Sequence, residues 1–162
     1  MRRGALALAA VLVATLTFAG LSPASAASGR IKAIDIGMNA PVKKVGMKNG
    51  GLAIGRNLHT VYTWKHGDPP CDPTGTTVYA GHAWRKGDGV ADKWGKLRRG
   101  NVIKVSGCKF KVRKVEYWSA KKAEKAKWSL NRVDGAPRIV LIGCKPDDYG
   151  KRTMVFASLI EE

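Results

Sequence analysis

The sequence predicts an all-β barrel or sandwich carrying one or two short helical insertions. Three observations lead there. The apolar runs are short; Gly, Pro, Asn and Asp punctuate the gaps between them; and Ile139–Ile142 is apolar on both faces, as a central strand is.

In chain order the strand candidates are Ile31–Ile36, Pro41–Val45, Thr76–Ala80, Asn101–Val105, Lys109–Tyr117, Ile139–Ile142 and Thr153–Ile160. Ser106-Gly107 reads as the hairpin turn between the fourth and fifth. Along Lys109–Tyr117 the apolar phase slips: Phe110 and Val112 share one face, Val115 and Tyr117 the other. A one-residue slip predicts a β-bulge near Arg113-Lys114. The helix candidate is Ser119–Trp128, with Ser119 as N-cap and Lys121, Lys122, Lys125 and Lys127 forming a basic face. No repeat or low-complexity segment interrupts this pattern.

The N-terminus reads as a targeting segment. Arg2 and Arg3 precede an uncharged apolar run from Gly4 to Leu21, and Ala24-Ser25-Ala26 supplies a small-x-small cleavage site. Residues 1–26 are therefore expected to be a signal peptide cut after Ala26. The apolar run also approaches the length of a membrane span, so an uncleaved anchor is the alternative. Both place residues 27–162 outside the cytoplasm, at the outer face of the membrane or in the cell wall. Cleavage would release a single domain of 136 residues, with 27 basic residues against 12 acidic ones.

Such a charge attracts polyanions, which for an exported domain means cell-wall polymers or anionic lipid headgroups. Simple solvation of a small domain accounts for the charge equally well. Nucleic acid is not expected, because Lys and Arg are scattered through strand-like segments and a leader precedes them. Three cysteines in an oxidising compartment leave one thiol over after any pairing. No C-x-x-C or H-E-x-x-H spacing points to zinc, and no Gly-rich phosphate loop follows a candidate strand. No cofactor is expected.

The leftover thiol has a candidate task. Cys144 directly follows the central strand, in Ile139-Val140-Leu141-Ile142-Gly143-Cys144, where a rigid scaffold can aim it. Arg152 lies eight residues later, at the start of the next strand, so its guanidinium can return toward the sulfur. A nearby cation favours thiolate and stabilises a developing oxyanion. His82 ends the run Thr76-Thr77-Val78-Tyr79-Ala80-Gly81-His82, a position equivalent to that of Cys144. Thiolate and imidazole together can run acyl transfer. By spacing alone a buried Cys and a lone His remain ordinary core residues. His59 and His66 lie in loop-like sequence with no partner indicated.

Longer motifs add a family resemblance. Thr76–Trp84 is similar to the strand that carries the catalytic histidine in sortases, and Ile139–Ala157 resembles their cysteine strand, its loop and the arginine that opens the final strand. Ile36–Gly46, Val61–Gly81 and Gly95–Val105 resemble upstream family segments in the same order, with Asn101 where Asp is usual. The likeness covers nearly all of residues 27–162 and is nearest to class E and class F sortases of high-GC Gram-positive bacteria. It implies an eight-stranded β-barrel and a cysteine transpeptidase. Cys144 would attack an LPXTG-like sorting signal to form a thioester, and His82 would shuttle the proton. Arg152 would hold substrate and oxyanion, and Ser119–Trp128 would wall the groove. The implied partners are surface proteins bearing that signal and an amine from a peptidoglycan precursor or a pilin.

Gly143 departs from the pattern, since the family usually has threonine before the cysteine. It supports an alternative, a decayed sortase-like module that binds wall polyanions. An L,D-transpeptidase is set aside, because its His and Cys share one compact motif, whereas here 62 positions separate them. With Cys144 as nucleophile, the pairing that spares it is Cys71–Cys108. That bridge is expected to form at the far end of the His82 strand, with Asn101–Val105 running antiparallel beside it.

Overall fold

The computed structural model describes residues 29–126 and 134–160. The leader, Lys127 and Trp128 lie outside them. Among the described residues ten strands form: β1 Arg30–Ala33, β2 Met38–Val45, β3 Met47–Lys48, β4 Gly51–Leu52, β5 Val61–Trp64, β6 Thr76–Gly81, β7 Val102–Val105, β8 Cys108–Ser119, β9 Arg138–Lys145 and β10 Asp148–Leu159. Eight of them close a barrel in the order β1-β2-β5-β6-β9-β10-β8-β7, and β3 and β4 make a separate hairpin. Closure removes the open edges that a sheet would otherwise expose.

The barrel interior follows the two-residue period of the strands. Ile31, Val61, Tyr79, Ile103, Phe110 and Leu141 point inward and are buried. The predicted bulge is present. Phe156 pairs with Lys114 and Ala157 with Val112, so Arg113 is the extra residue. Its insertion turns Val115 back onto the interior face with Phe110 and Val112. Ser106 and Gly107, with φ of 52° and 87°, form the two-residue turn between Val105 and Cys108.

Other expectations need correction. Ile31–Ile36 is not one strand: β1 ends at Ala33, and Ile34–Ile36 forms a 3-10 turn closed by Gly37 at φ 61°. β2 then begins at Met38, earlier than Pro41. β5, only four residues long, has three consecutive buried residues rather than an alternating pattern, which hid it. The β3–β4 hairpin turns on Asn49-Gly50, both at positive φ, but each strand is too short to show a period. Strand β9 runs past Cys144 to Lys145 and β10 begins at Asp148, so the loop between them is just Pro146-Asp147. Strand β7 lies between β1 and β8, four strands away from β6 in either direction, so the two are not neighbours.

Among the described residues an α-helix, α1, spans Ala120–Lys125, and Ser119 caps it by accepting a hydrogen bond from the Lys122 N–H at 3.1 Å. Its Ala123, with Ala126 beyond it, packs with Trp118 over the outer face of β9 and β10 at Val140 and Met154. A longer 3-10 segment, Val90–Lys96, plugs one end of the barrel with fully buried Ala91 and Trp94.

Candidate functional site

The register of three adjacent strands brings the candidate residues together. β6 runs parallel to β9, with Gly81 opposite Gly143, so both strands reach their next residues, His82 and Cys144, at the same level. On the other side of β9, Cys144 pairs directly with Arg152 of β10, and Arg152 with Trp118 of β8. His82, Cys144 and Arg152 thus occupy neighbouring positions in one row. Strand spacing alone keeps such neighbours about 5 Å apart at the backbone.

Cys144 is half-buried and unbonded to any other cysteine. His82 is half-buried, and its Nε2 lies 2.6 Å from the Gly55 carbonyl oxygen. A carbonyl can only accept, so Nε2 carries a proton and donates, and in the neutral ring Nδ1 is the free base. The Tyr62 ring stands edge-on to the imidazole at 6.3 Å. Arg152 donates through Nη1 to the carbonyls of Tyr149 at 2.8 Å and Lys151 at 3.1 Å. Among the described residues nothing occupies its Nε or Nη2, which remain available to a bound carbonyl oxygen.

The chain after His82 is tied down by its backbone. The His82 carbonyl accepts from the Ala91 N–H at 2.9 Å. The Asp92 carboxylate accepts from the N–H groups of Trp84 and Gly89, each at 2.7 Å. Gly89 passes so close that a Cβ there would stand 2.4 Å from the His82 oxygen. Charge-assisted hydrogen bonds of this kind are about twice as strong as neutral ones.

The departure at Gly143 has a packing cause. A Cβ on Gly143 would meet the Ala91 Cβ at 2.4 Å and the Trp94 ring at 3.2 Å. A Cβ on its partner Gly81 would meet Val90 at 2.7 Å and the same ring at 2.8 Å. Paired across β6 and β9, the two glycines make a seat for the fully buried Trp94 indole, whose Nε1–H donates to Met38 Sδ at 3.1 Å. Trp94 fills the volume that a side chain at 143 would need. The seat lies one residue before each of His82 and Cys144.

A groove of about 830 Å³ runs along the outside of β5, β6 and β9 up to Arg152. Its walls are the β3–β4 hairpin, Trp64 and His66 on one side and Ala120, Ala123 and Glu124 of α1 on the other; Val78, Ala80 and Ile142 form the floor. Ala80 and Ile142 each precede a candidate residue by two positions, so the floor leads along the strands to His82 and Cys144. His66, read from sequence as unpartnered, stands edge-on to Trp64 at 5.9 Å. His59 is not among the lining residues.

Carboxylates and lysines around the β9–β10 turn pair with one another. Lys145 binds Asp147, and Lys151 binds Asp148 at 3.0 Å. The hydrogen bond from each lysine holds its carboxyl below the usual carboxylate range. Among the described residues, no three His, Cys, Asp or Glu side chains gather as a metal site would require.

Cys71 and Cys108 are joined, with Cα atoms 5.9 Å apart. The route differs from the expected one. Since β7 is not beside β6, the β5–β6 loop crosses the barrel end to reach the β7–β8 turn.

Sequence reasoning singled out His82, Cys144 and Arg152 but missed Gly55, Asp92 and Trp94. Gly89 with Asp92 three residues on is a capping pattern at the Val90–Lys96 turn, and could have flagged that segment. Gly55 acts through its carbonyl, which no residue type announces.

Comparison with known proteins agrees with the barrel. Residues 30–160 match the Sortase domain family, and the chain belongs to the sortase family. The fold is similar to sortase A of Listeria monocytogenes, at 20% identity and a TM-score of 0.65 over 84% of this chain and 88% of that one. It is also similar to sortase C-1 of Actinomyces oris, at 21% identity and a TM-score of 0.67 over 83% and 73%. A Clostridium perfringens sortase D5 transpeptidase aligns at 18% identity and a TM-score of 0.63 over 83% and 79%. A search of curated protein sequences finds no match.

Proposed function

We propose that the protein is a cysteine transpeptidase that cleaves an LPXTG-like sorting signal and passes the acyl group to an amine. The observation that carries this reading is the row His82, Cys144, Arg152 on three neighbouring strands; Arg152 lines a largely apolar groove whose floor residues Ala80 and Ile142 lie two positions before His82 and Cys144. The Cys144 thiolate attacks the scissile carbonyl, and the oxyanion forms beside the open N–H groups of Arg152. Collapse expels the amine of the downstream peptide, which takes a proton from the His82 imidazolium and leaves a thioester on Cys144. An incoming amine then gives its proton to His82 and displaces the sulfur, restoring the thiolate–imidazolium pair. Every proton that leaves on the first half returns on the second.

The acceptor is a peptidoglycan-precursor or pilin amine, and the protein works at the outer membrane face or in the wall. Residues 1–26 direct it there. Class E and class F sortases are the nearest kin on the motifs. The test is incubation with a panel of LPXTG-like peptides and amine acceptors, followed by mass spectrometry of intact protein. Expected are a thioester adduct on Cys144 and an amine-dependent product. An adduct on another residue, or none with any peptide, overturns the reading.

A further inference from the structure

We propose that the outer face of β2, β1, β7 and β8 is a docking surface for a linear, phosphate-bearing polyanion. The register defines this face. Lys32 of β1 stands directly opposite Lys104 of β7, and Lys104 directly opposite Lys109 of β8. Lys111 and Arg113 continue the basic line along β8, and Arg30 and Lys43 flank it on β1 and β2. The other outward positions from β2 to the bulge in β8 are Asn39, Pro41, Val45 and Val102; the nearest carboxylates are Asp35, which borders Lys32 and Lys104 at the β1–β7 edge, and Glu116, which lies beyond the bulge and is paired with Lys114.

Like charges directly opposite in an antiparallel pair are destabilising. Elsewhere this chain avoids that cost: Lys114 pairs with Glu116, Lys145 with Asp147 and Lys151 with Asp148, all on β8, β9 or β10 or the turn that joins the last two. Among the described residues Lys32, Lys43, Lys104, Lys111 and Arg113 have no such partner. A face that gathers these cations, with the single carboxylate of Asp35 at its edge, is a place where local stability yields to an outside ligand.

The chemistry of the face selects the ligand. Its strands span about 14 Å from β2 to β8, enough to bring several phosphates of one chain against several cations. A bilayer-binding surface would add apolar or aromatic anchors. Of the exposed large apolar residues Ile34, Met47, Ile54, Trp64, Trp84 and Tyr117, Ile34 alone borders this face, beside Lys32 and Lys104, and a lone aliphatic side chain does not make a membrane anchor. With no aromatic ring among the cations to stack a base, the face reads charge alone. β1 and β7 lie across the barrel from β6 and β9, so a docked polymer leaves the groove open. The surface does not depend on the transpeptidase reading.

The experiment compares mature wild-type protein with Lys32→Gln/Lys104→Gln/Lys111→Gln and a control, Lys86→Gln/Lys93→Gln/Lys96→Gln, of equal charge. Binding of long-chain inorganic polyphosphate is measured across a salt series. The face variant should lose about 10-fold or more in affinity at low salt, and its salt slope should fall by about 2 to 3. The control should lose less than about 2-fold, and polyphosphate should raise the melting temperature of wild type more than that of the face variant. Three outcomes overturn the proposal: no binding at low salt, equal losses in both variants, or tighter binding to phosphatidylglycerol vesicles or a single-stranded oligonucleotide than to polyphosphate. The face variant should melt no lower than wild type without ligand. A lower melt assigns the lysines to stability and also overturns the proposal.

Discussion

The two ends of the barrel are held by different means. At one end β6 stops at Gly81 opposite Gly143 of β9, the two glycines pack against Trp94, and hydrogen bonds from Ala91, Trp84 and Gly89 pin the chain after His82. At the other, Cys71–Cys108 ties the β5–β6 loop to the β7–β8 turn. Cys108 begins β8 and Trp118 lies next to its last residue, roughly 30 Å away along the strand. Steric fit can place atoms to a fraction of an ångström, which acyl transfer needs; a covalent cross-link limits the unfolded chain without specifying a site. One end serves geometry and the other serves stability.

Substitutions should separate these roles. The largest effects belong to the row itself. Cys144→Ala should abolish thioester formation and amine transfer with the fold intact. His82→Ala should lower turnover by ~100-fold or more, the scale of a lost general acid–base. Arg152→Lys should also be poor, because an ammonium lacks the planar fork that spans two acceptors. Transfer by the Cys144→Ala protein at wild-type rate would remove the nucleophile from the mechanism.

The glycine seat comes next. Gly143→Ala places a methyl 2.4 Å from the Ala91 Cβ, so β9 or the 90–96 segment must shift. Overpacking of this kind costs about 1–3 kcal/mol, and a displacement near 1 Å can cost ~100-fold in rate. We expect kcat to fall at least ~10-fold with KM little changed. Adding Ala91→Gly should restore most of the loss, since it removes the methyl in conflict. A double variant no better than Gly143→Ala alone would show that the seat does not position Cys144.

Breaking the far end should do the opposite. With a loop of 37 residues, Cys71→Ser/Cys108→Ser should cost roughly 3–4 kcal/mol in unfolding free energy. Activity per folded molecule should stay within about 2-fold at low temperature. Equal loss of activity and stability would mean that the two ends are coupled through the barrel.

The sequence carried the strands and the candidate row further than it carried the framework around them. Period-two runs located most strands, and the phase slip from Val112 to Val115 located the bulge, because both signals are local. The juxtaposition of His82, Cys144 and Arg152 was legible from their places beside strand ends, sharpened by motif likeness. Gly143, which looked like a loss from the motif, is understood only with Trp94 across the barrel end, 49 positions earlier in sequence. The disulfide pairing was legible by elimination, but its route was not, because strand order around a closed barrel is a non-local property.

The smallest effect should come from the lysines of α1. Ala120, Ala123 and Glu124 face the groove, while Lys121, Lys122 and Lys125 do not line it. Lys122 instead lies over the Trp118 ring at 4.4 Å, a contact worth about 0.5–1 kcal/mol at an exposed site. Replacing all three with Gln should therefore lower stability by roughly that amount, through Lys122. Substrate KM should change less than about 2-fold. Any change should fade with added salt, since exposed charges are screened beyond about 8–10 Å near physiological ionic strength. Steady-state kinetics at two salt concentrations, paired with urea melts, distinguish the outcomes. A KM shift above ~5-fold that survives high salt would mean that the lysines touch substrate, and the groove would then extend over the outer side of α1. Glu124→Gln is the internal comparison: it alters a group that lines the groove, so it should shift KM more than the three lysines together.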